Sequence, residues 1–289
     1  MIEFFGALAT HQFLQHAVLA GVLAGIGCGV MGTYVVVKRI GYLAGGIAHA
    51  VLGGMGIAYF FGRDPIIGAL IAALVAAVLV GWISRRGEQH VDTIIGALWA
   101  IGMAVGILFI SQTPGYNVDL LSYLFGNILM VAPQDLWFIA ILDLIIVLVV
   151  VLFYRQFLAI TFDEEFALLR GVPVGFFDLL LLSMVALTVV MLIRVVGLIL
   201  VIALLTLPAA IAGQYVRSLG RMMVVAIGLG VAFAVGGLAP SYGPDLPAGA
   251  SIIVLAGVTY LLSSALQAGI RWRRMRSLQS RQAAPPGAA

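Results

Sequence analysis

Residues 38–86 read KRIGYLAGGIAHAVLGGMGIAYFFGRDPIIGALIAALVAAVLVGWISRR. Two apolar runs, 43–61 and 65–84, lie between the basic pairs Lys38–Arg39 and Arg85–Arg86, with a short polar break around Arg63 and Asp64. About 20 consecutive apolar residues carry an α-helix across the hydrocarbon core of a bilayer, so each run is a candidate span. The bases then place both outer ends on one membrane face, the cytoplasmic one.

The same test gives further spans at 14–37, 92–112, 133–155, 174–193, 195–215, 220–239 and 247–268. The fold class is therefore all-α, a polytopic transmembrane bundle of about nine spans. The piece 120–131 is too short to cross and is expected to re-enter or to lie along one surface. Composition agrees: 63% of residues are hydrophobic and 9% charged, against about 25% charged in soluble domains. Cys28 is the single cysteine and lies in an apolar run, which excludes a disulfide framework or thiolate cluster. No basic region and small-residue cleavage site precedes the first run, which is read as a span instead of a leader.

Thirteen of the fifteen lysines and arginines fall on one side when the N-terminus is outside and the C-terminus cytoplasmic, leaving Arg63 and Arg194 on the other. The net charge of +3 thus reflects a membrane face, and nucleic acid is not expected as a partner. Residues 1–270 read as a single transmembrane domain. Residues 271–289, basic and then rich in Ala and Pro, are expected to be a disordered cytoplasmic tail. Gly21, Gly25 and Gly29, and again Gly102 and Gly106, recur every fourth residue. Such stripes allow helix backbones to approach closely in lipid.

An energy source is missing. Lys38 is the only lysine and is followed by Arg39, so a G-x-x-x-x-G-K-[ST] phosphate loop is excluded. Nucleotide hydrolysis, if it drives this chain, belongs to a separate subunit. No H-E-x-x-H, G-x-S-x-G or D-D-x-x-D motif is present, so an enzyme is not expected.

Three features stand above this background. His49 lies inside the second span, on one helix face with Gly45 and Gly53. An ionisable group there is a functional candidate by default, and neutral imidazole is a common metal ligand; the alternative is a histidine bonded to a neighbouring helix. The cytoplasmic loop 156–173 holds a helix-like piece from Asp163 to Arg170, with acids first, Arg last, then Gly171 and Pro173. Phe162, Phe166 and Leu169 share a face that either docks a soluble partner or lies on the bundle's underside. Asp143, inside the span 133–155, either lines a pathway or satisfies a break in a neighbouring helix. Pro208 is expected to kink or unwind the seventh span.

At these residues the sequence resembles the membrane permeases of bacterial ABC importers for zinc, manganese or iron(II). The resemblance runs through KRIGYLAGGIAHAVLGG at 38–54, DTIIGALWAIGMAVG at 92–106, DLLSYLFGNIL at 119–129, GLILVIALLTLPAAIA at 197–212 and DLPAG at 245–249. It implies a homodimer in the bacterial cytoplasmic membrane, two ATP-binding-cassette ATPase subunits, and a periplasmic or lipid-anchored metal-binding protein. It implies no permanently bound cofactor: the metal is cargo, and ATP acts through the partner. The stretch from Glu165 to Gly171 keeps an E-x-A-x-x-x-G remnant of importer coupling loops, which adds Asp163, Glu165, Ala167 and Gly171 to the expected ATPase-coupling residues. His49 corresponds to the family's metal-ligand histidine, with Asp143 as a second candidate and Gly45, Gly46, Gly53 and Pro208 as pathway and helix-break positions. Zinc and manganese members carry an Asp four residues before that histidine; here Gly45 stands in its place. A nitrogen ligand without a carboxylate leans toward zinc. The rival expectations are an ion-coupled secondary transporter, which would need buried carboxylates beyond Asp143, and a membrane-embedded enzyme, which would need a clustered catalytic set.

Overall fold

The computed structural model describes residues 6–8, 10–85, 91–113, 126, 128–241 and 246–282; at 194, 195, 199, 273, 274 and 276–282 only the backbone is described. Among the described residues all regular structure is helical: α1 Gln12–Val37, α2 Gly41–Phe60, α3 Pro65–Ser84, α4 Val91–Ser111, a 3-10 turn Ile128–Met130, α5 Pro133–Leu152, α6 Tyr154–Phe162, α7 Glu164–Leu169, α8 Val174–Val196, α9 Leu198–Tyr215, α10 Leu219–Ser241 and α11 Ala248–Gln282. Eight are long and apolar enough to cross a membrane, and Leu200–Tyr215 is a shorter apolar helix. Each of the nine expected spans coincides with a helix, eight of them long enough to cross and the one at 195–215 shorter.

Helix ends follow local chemistry. Between α2 and α3, Gly62 takes φ +65 and the Asp64 carboxylate accepts from the Ile66 N–H at 2.9 Å, with Pro65 at the first helical position. α1 instead closes on Arg39, a non-glycine at φ +58, with the Ile40 N–H donating to the Val35 carbonyl. That left-handed residue turns the chain from α1 into α2.

Packing is organised by glycine. A β-carbon on Gly25 would stand 2.8 Å from Val231, and one on Gly29 2.5 Å from Ile227, so α1 lies directly on α10. Gly32 abuts the Leu205 carbonyl of α9. On α2, Gly53 and Gly56 meet the backbone of Gly102 and Gly106 in α4, while Gly54 and Gly68 place α2 against α3. The stripes are therefore intramolecular contacts, as lipid-embedded helices require. α1 and α8 form the centre, whereas α4 and α11 present mostly exposed apolar faces.

Several expectations change. The span 133–155 ends at Leu152, and much of the expected loop after it is the helix α6, which begins after Phe153. Pro208 leaves the helical backbone uninterrupted, so the expected unwinding is absent. Proline removes one hydrogen bond from a helix interior, but α9 is packed against α1, α10 and α11, which hold it in place. The break falls at Gly197, which ends α8 and begins α9 at φ +80 and ψ 163, a region open to glycine. Residues 271–282 form the last part of α11. Most of 120–131, and 242–245 of the DLPAG region, lie outside the described residues.

Candidate functional site

His49 projects from α2 toward α4. Its Nδ1 lies 2.8 Å from the Gly45 carbonyl, an acceptor, so Nδ1–H donates and Nε2 of the neutral ring is left as the free nitrogen. The ring stacks on Trp99 with centroids 3.9 Å apart and planes 22° off parallel. Trp99 in turn donates its indole N–H to the Met103 sulfur at 3.2 Å. A half-buried imidazole held by a backbone carbonyl and an aromatic face is oriented in the way metal-ligating histidines are.

The glycines around it differ in role. A β-carbon on Gly45 would find only ordinary contacts, 3.6 Å to Ile202 and 3.7 Å to Trp99. Position 45 therefore accommodates a β-carbon without a clash. Gly46, by contrast, is packed under Ile95, and Gly53 under the Gly102 carbonyl at 2.8 Å, so those two set the α2–α4 distance.

Asp143 is elsewhere. It sits on α5, 4% exposed, and neither carboxylate oxygen has a hydrogen-bond partner among the described residues. Its neighbours are Gly27 of α1, where a β-carbon would come 2.5 Å from Oδ1, and Met191 of α8. The surroundings given for His49 and for Asp143 share no residue. Among the described residues no group of three or more His, Cys, Asp and Glu side chains forms a cluster fit for a metal ion.

The third feature is the α6–α7 elbow. Asp163 caps α7, its carboxylate accepting from the Phe166 N–H at 2.9 Å. Ala167 is fully buried against the bundle and Gly171 closes the turn at φ +75. Phe162, Phe166 and Leu169 are 65%, 48% and 88% exposed. Glu165 stands beside them in the first turn, and the Arg170 guanidinium lies 4.9 Å over the Phe166 ring. The apolar face is thus turned away from the bundle.

Sequence reasoning missed one group here. In the sequence Lys38 marks orientation and rules out a phosphate loop; in the structure it joins helices. Its ammonium contacts the Ile160 carbonyl at 3.3 Å, Glu164 at 3.1 Å and Asp178 at 2.7 Å. The available signal was a sole lysine in a chain that otherwise uses arginine, with a carboxylate a few residues inside the span 174–193.

The sequence profile of the ABC 3 transport family matches residues 10–267. The chain belongs to that family. An uncharacterised membrane protein of Synechocystis is 47% identical over 92% of this chain and 95% of its own length. The manganese transport system membrane protein MntC of Halalkalibacterium halodurans is 36% identical over 90% of this chain and 89% of its own. Among solved structures, PsaBC from Streptococcus pneumoniae in complex with a Fab superposes with a TM-score of 0.83 at 34% identity, covering 91% of this chain and 95% of that one. The ABC 3 match spans the whole set of helices that carry His49, Asp143, Lys38 and the α6–α7 elbow.

Proposed function

We propose that this chain is the permease subunit of an ATP-binding-cassette importer for a divalent transition-metal ion. The observation that carries the reading is full-length similarity to relatives named for metal transport, among them a probable metal transport system membrane protein of Chlamydia pneumoniae at 39% identity and the manganese system protein above. The missing phosphate loop and the exposed apolar face of α7 support the same division of labour: separate ATPase subunits hydrolyse ATP and dock at Phe162, Phe166 and Leu169. A metal-binding protein delivers the ion from the outer face, and two copies of the chain flank the pathway in the bacterial cytoplasmic membrane. The N-terminus is outside and the C-terminus inside, on the distribution of basic residues.

On this reading His49 supplies one nitrogen from each copy. The named relatives make manganese the first candidate cargo, and the nitrogen ligand without a carboxylate keeps zinc as the second.

The test is reconstitution of the complete importer in proteoliposomes. ATP-dependent uptake of manganese, zinc and iron(II) is measured singly and in competition, for the wild type and for His49→Ala. Uptake that proceeds without ATP would sink the proposal in favour of a secondary transporter, and wild-type uptake by His49→Ala would remove that residue from the pathway. Phe166→Asp combined with Leu169→Asp is expected to abolish co-purification of the ATPase while the permease stays in the membrane; a retained ATPase refutes the docking assignment.

A further inference from the structure

Lys38 occupies a junction of four helices. It is the residue after α1; Ile160 is in the last turn of α6, Glu164 in the first turn of α7, and Asp178 in α8. An ammonium group has three donors, and the three contacts at 3.3, 3.1 and 2.7 Å use them all. Each acceptor suits a cation for a separate reason. The Ile160 carbonyl is among those a helix end leaves unpaired, and the two carboxylates are opposite charges.

The junction rests on an aromatic hub. Tyr34, one turn before Lys38, packs on Phe157 with centroids 5.7 Å apart, Phe157 packs on Phe177 at 5.7 Å, and Phe153 packs on Phe177 at 5.4 Å. The hub fixes α1, α6 and α8 to one another. α7 is fixed less firmly: Ala167 is buried, but Phe166, Leu168 and Leu169 are exposed.

The two ion pairs differ in the same sense. The Lys38 side chain is 14% exposed, Asp178 19% and Glu164 54%. A half-buried pair that loses one partner leaves a charge stranded, so Asp178 and Lys38 stay together. A pair open to solvent at one end breaks and re-forms with small changes in free energy.

We propose that Lys38 is a positioning residue that latches α7 to the bundle, held permanently by Asp178 and reversibly by Glu164. Displacement of α7 by an attached ATPase then reaches α1 and α8 through one side chain. α1 carries Gly25 and Gly29 against α10 and Gly32 against α9, so what happens at the latch is felt along the bundle's central helix. The inference rests on the reading above that α7 docks an ATPase.

The experiment uses the complete importer in proteoliposomes, with metal uptake and ATP hydrolysis recorded together. Glu164→Gln keeps the exposed apolar face of α7 and removes the charge. It is expected to retain the ATPase subunit and its hydrolysis while metal moved per ATP falls by at least about fivefold. Glu164→Asp, which restores the charge, is expected to recover most of that ratio. An unchanged ratio in Glu164→Gln overturns the latch, as does an Asp variant as uncoupled as the Gln variant, or loss of the ATPase subunit from either. The Phe166→Asp and Leu169→Asp chain separates the two ideas: a retained ATPase there means that the docking reading failed, whereas normal docking with an unchanged transport ratio means that the latch alone failed.

Discussion

Replacing Gly102 by alanine tests whether glycine contacts hold the site's two helices at their spacing. A β-carbon at this position of α4 would lie 2.6 Å from the Ala50 Cα and 3.3 Å from the Ala50 nitrogen and Cβ. Carbon atoms in contact settle at about 3.5–4.0 Å, so α4 must withdraw by roughly 0.9 Å. The obstacle is helix backbone, which cannot rotate away as a side-chain tip would. Overpacking of this kind costs about 1–3 kcal/mol. The helix-propensity gain of alanine, about 0.5–1 kcal/mol in water, offsets little of it, because membrane helices persist when their packing is lost. A loss of about 1–2 kcal/mol is expected in reversible unfolding of the purified chain. Gly228→Ala and Gly257→Ala are the controls, since a β-carbon at either meets nothing within 4 Å. The change also reaches the site: Ala50 adjoins His49, and Trp99 lies one turn before Gly102, so the stacked pair is expected to loosen and alter the indole emission. A Gly102→Ala midpoint matching those of the controls would refute the reasoning.

Asp143→Leu is expected to stabilise the chain by about 1–3 kcal/mol in the same unfolding assay, because it removes two buried oxygens that have no partners among the described residues; a loss of stability would show that the carboxylate has a partner in the membrane. Gly45→Asp, at a position where a β-carbon makes only ordinary contacts, is expected to tighten divalent-metal binding by about tenfold, a gain of about 1.4 kcal/mol in calorimetric titration, and to lose that gain when His49→Ala is added. Unchanged affinity would mean that position 45 does not face the ion.

What the sequence revealed and what it concealed divide along physical lines. Span positions were legible because the bilayer sets a length and penalises charge, and both are read one residue at a time. The start of α3 was legible for a similar reason, since Asp64 and Pro65 are local instructions. The limits of α7 also follow from local order, with Asp163 before the helix and Gly171 after it, whereas the exposure of Phe166 and Leu169 was one of two open alternatives that the packing decides. Lys38 could not be assigned in this way. Its partners Glu164 and Asp178 are 126 and 140 residues away, and no periodicity links them. Pro208 is the opposite case: a strong local rule expected a kink or unwinding, and packing against α1, α10 and α11 keeps the backbone helical through it.

The glycine contacts also explain why the carboxylate question centres on Gly45. Gly53, Gly54 and Gly56 join α2 to α3 and α4, while Gly25, Gly29 and Gly32 join α1 to α10 and α9. α1 and α2 themselves scarcely touch, although they follow each other in the chain. Two welded groups of helices therefore meet along a seam between α2 and α9, with α8 in contact with both. Gly45 lies on that seam, its missing side chain facing Ile202 of α9 and Trp99 of α4, and His49 is one turn along the same face. Side chains within a welded group have fixed neighbours, whereas those on the seam are the ones whose surroundings depend on how the groups sit together. His49's own partners, the Gly45 carbonyl and the Trp99 ring, belong to the α2–α4 group, so it is Gly45 that borders α9. Asp143, enclosed between α5, α1 and α8 with its oxygens unpartnered, does not share that position.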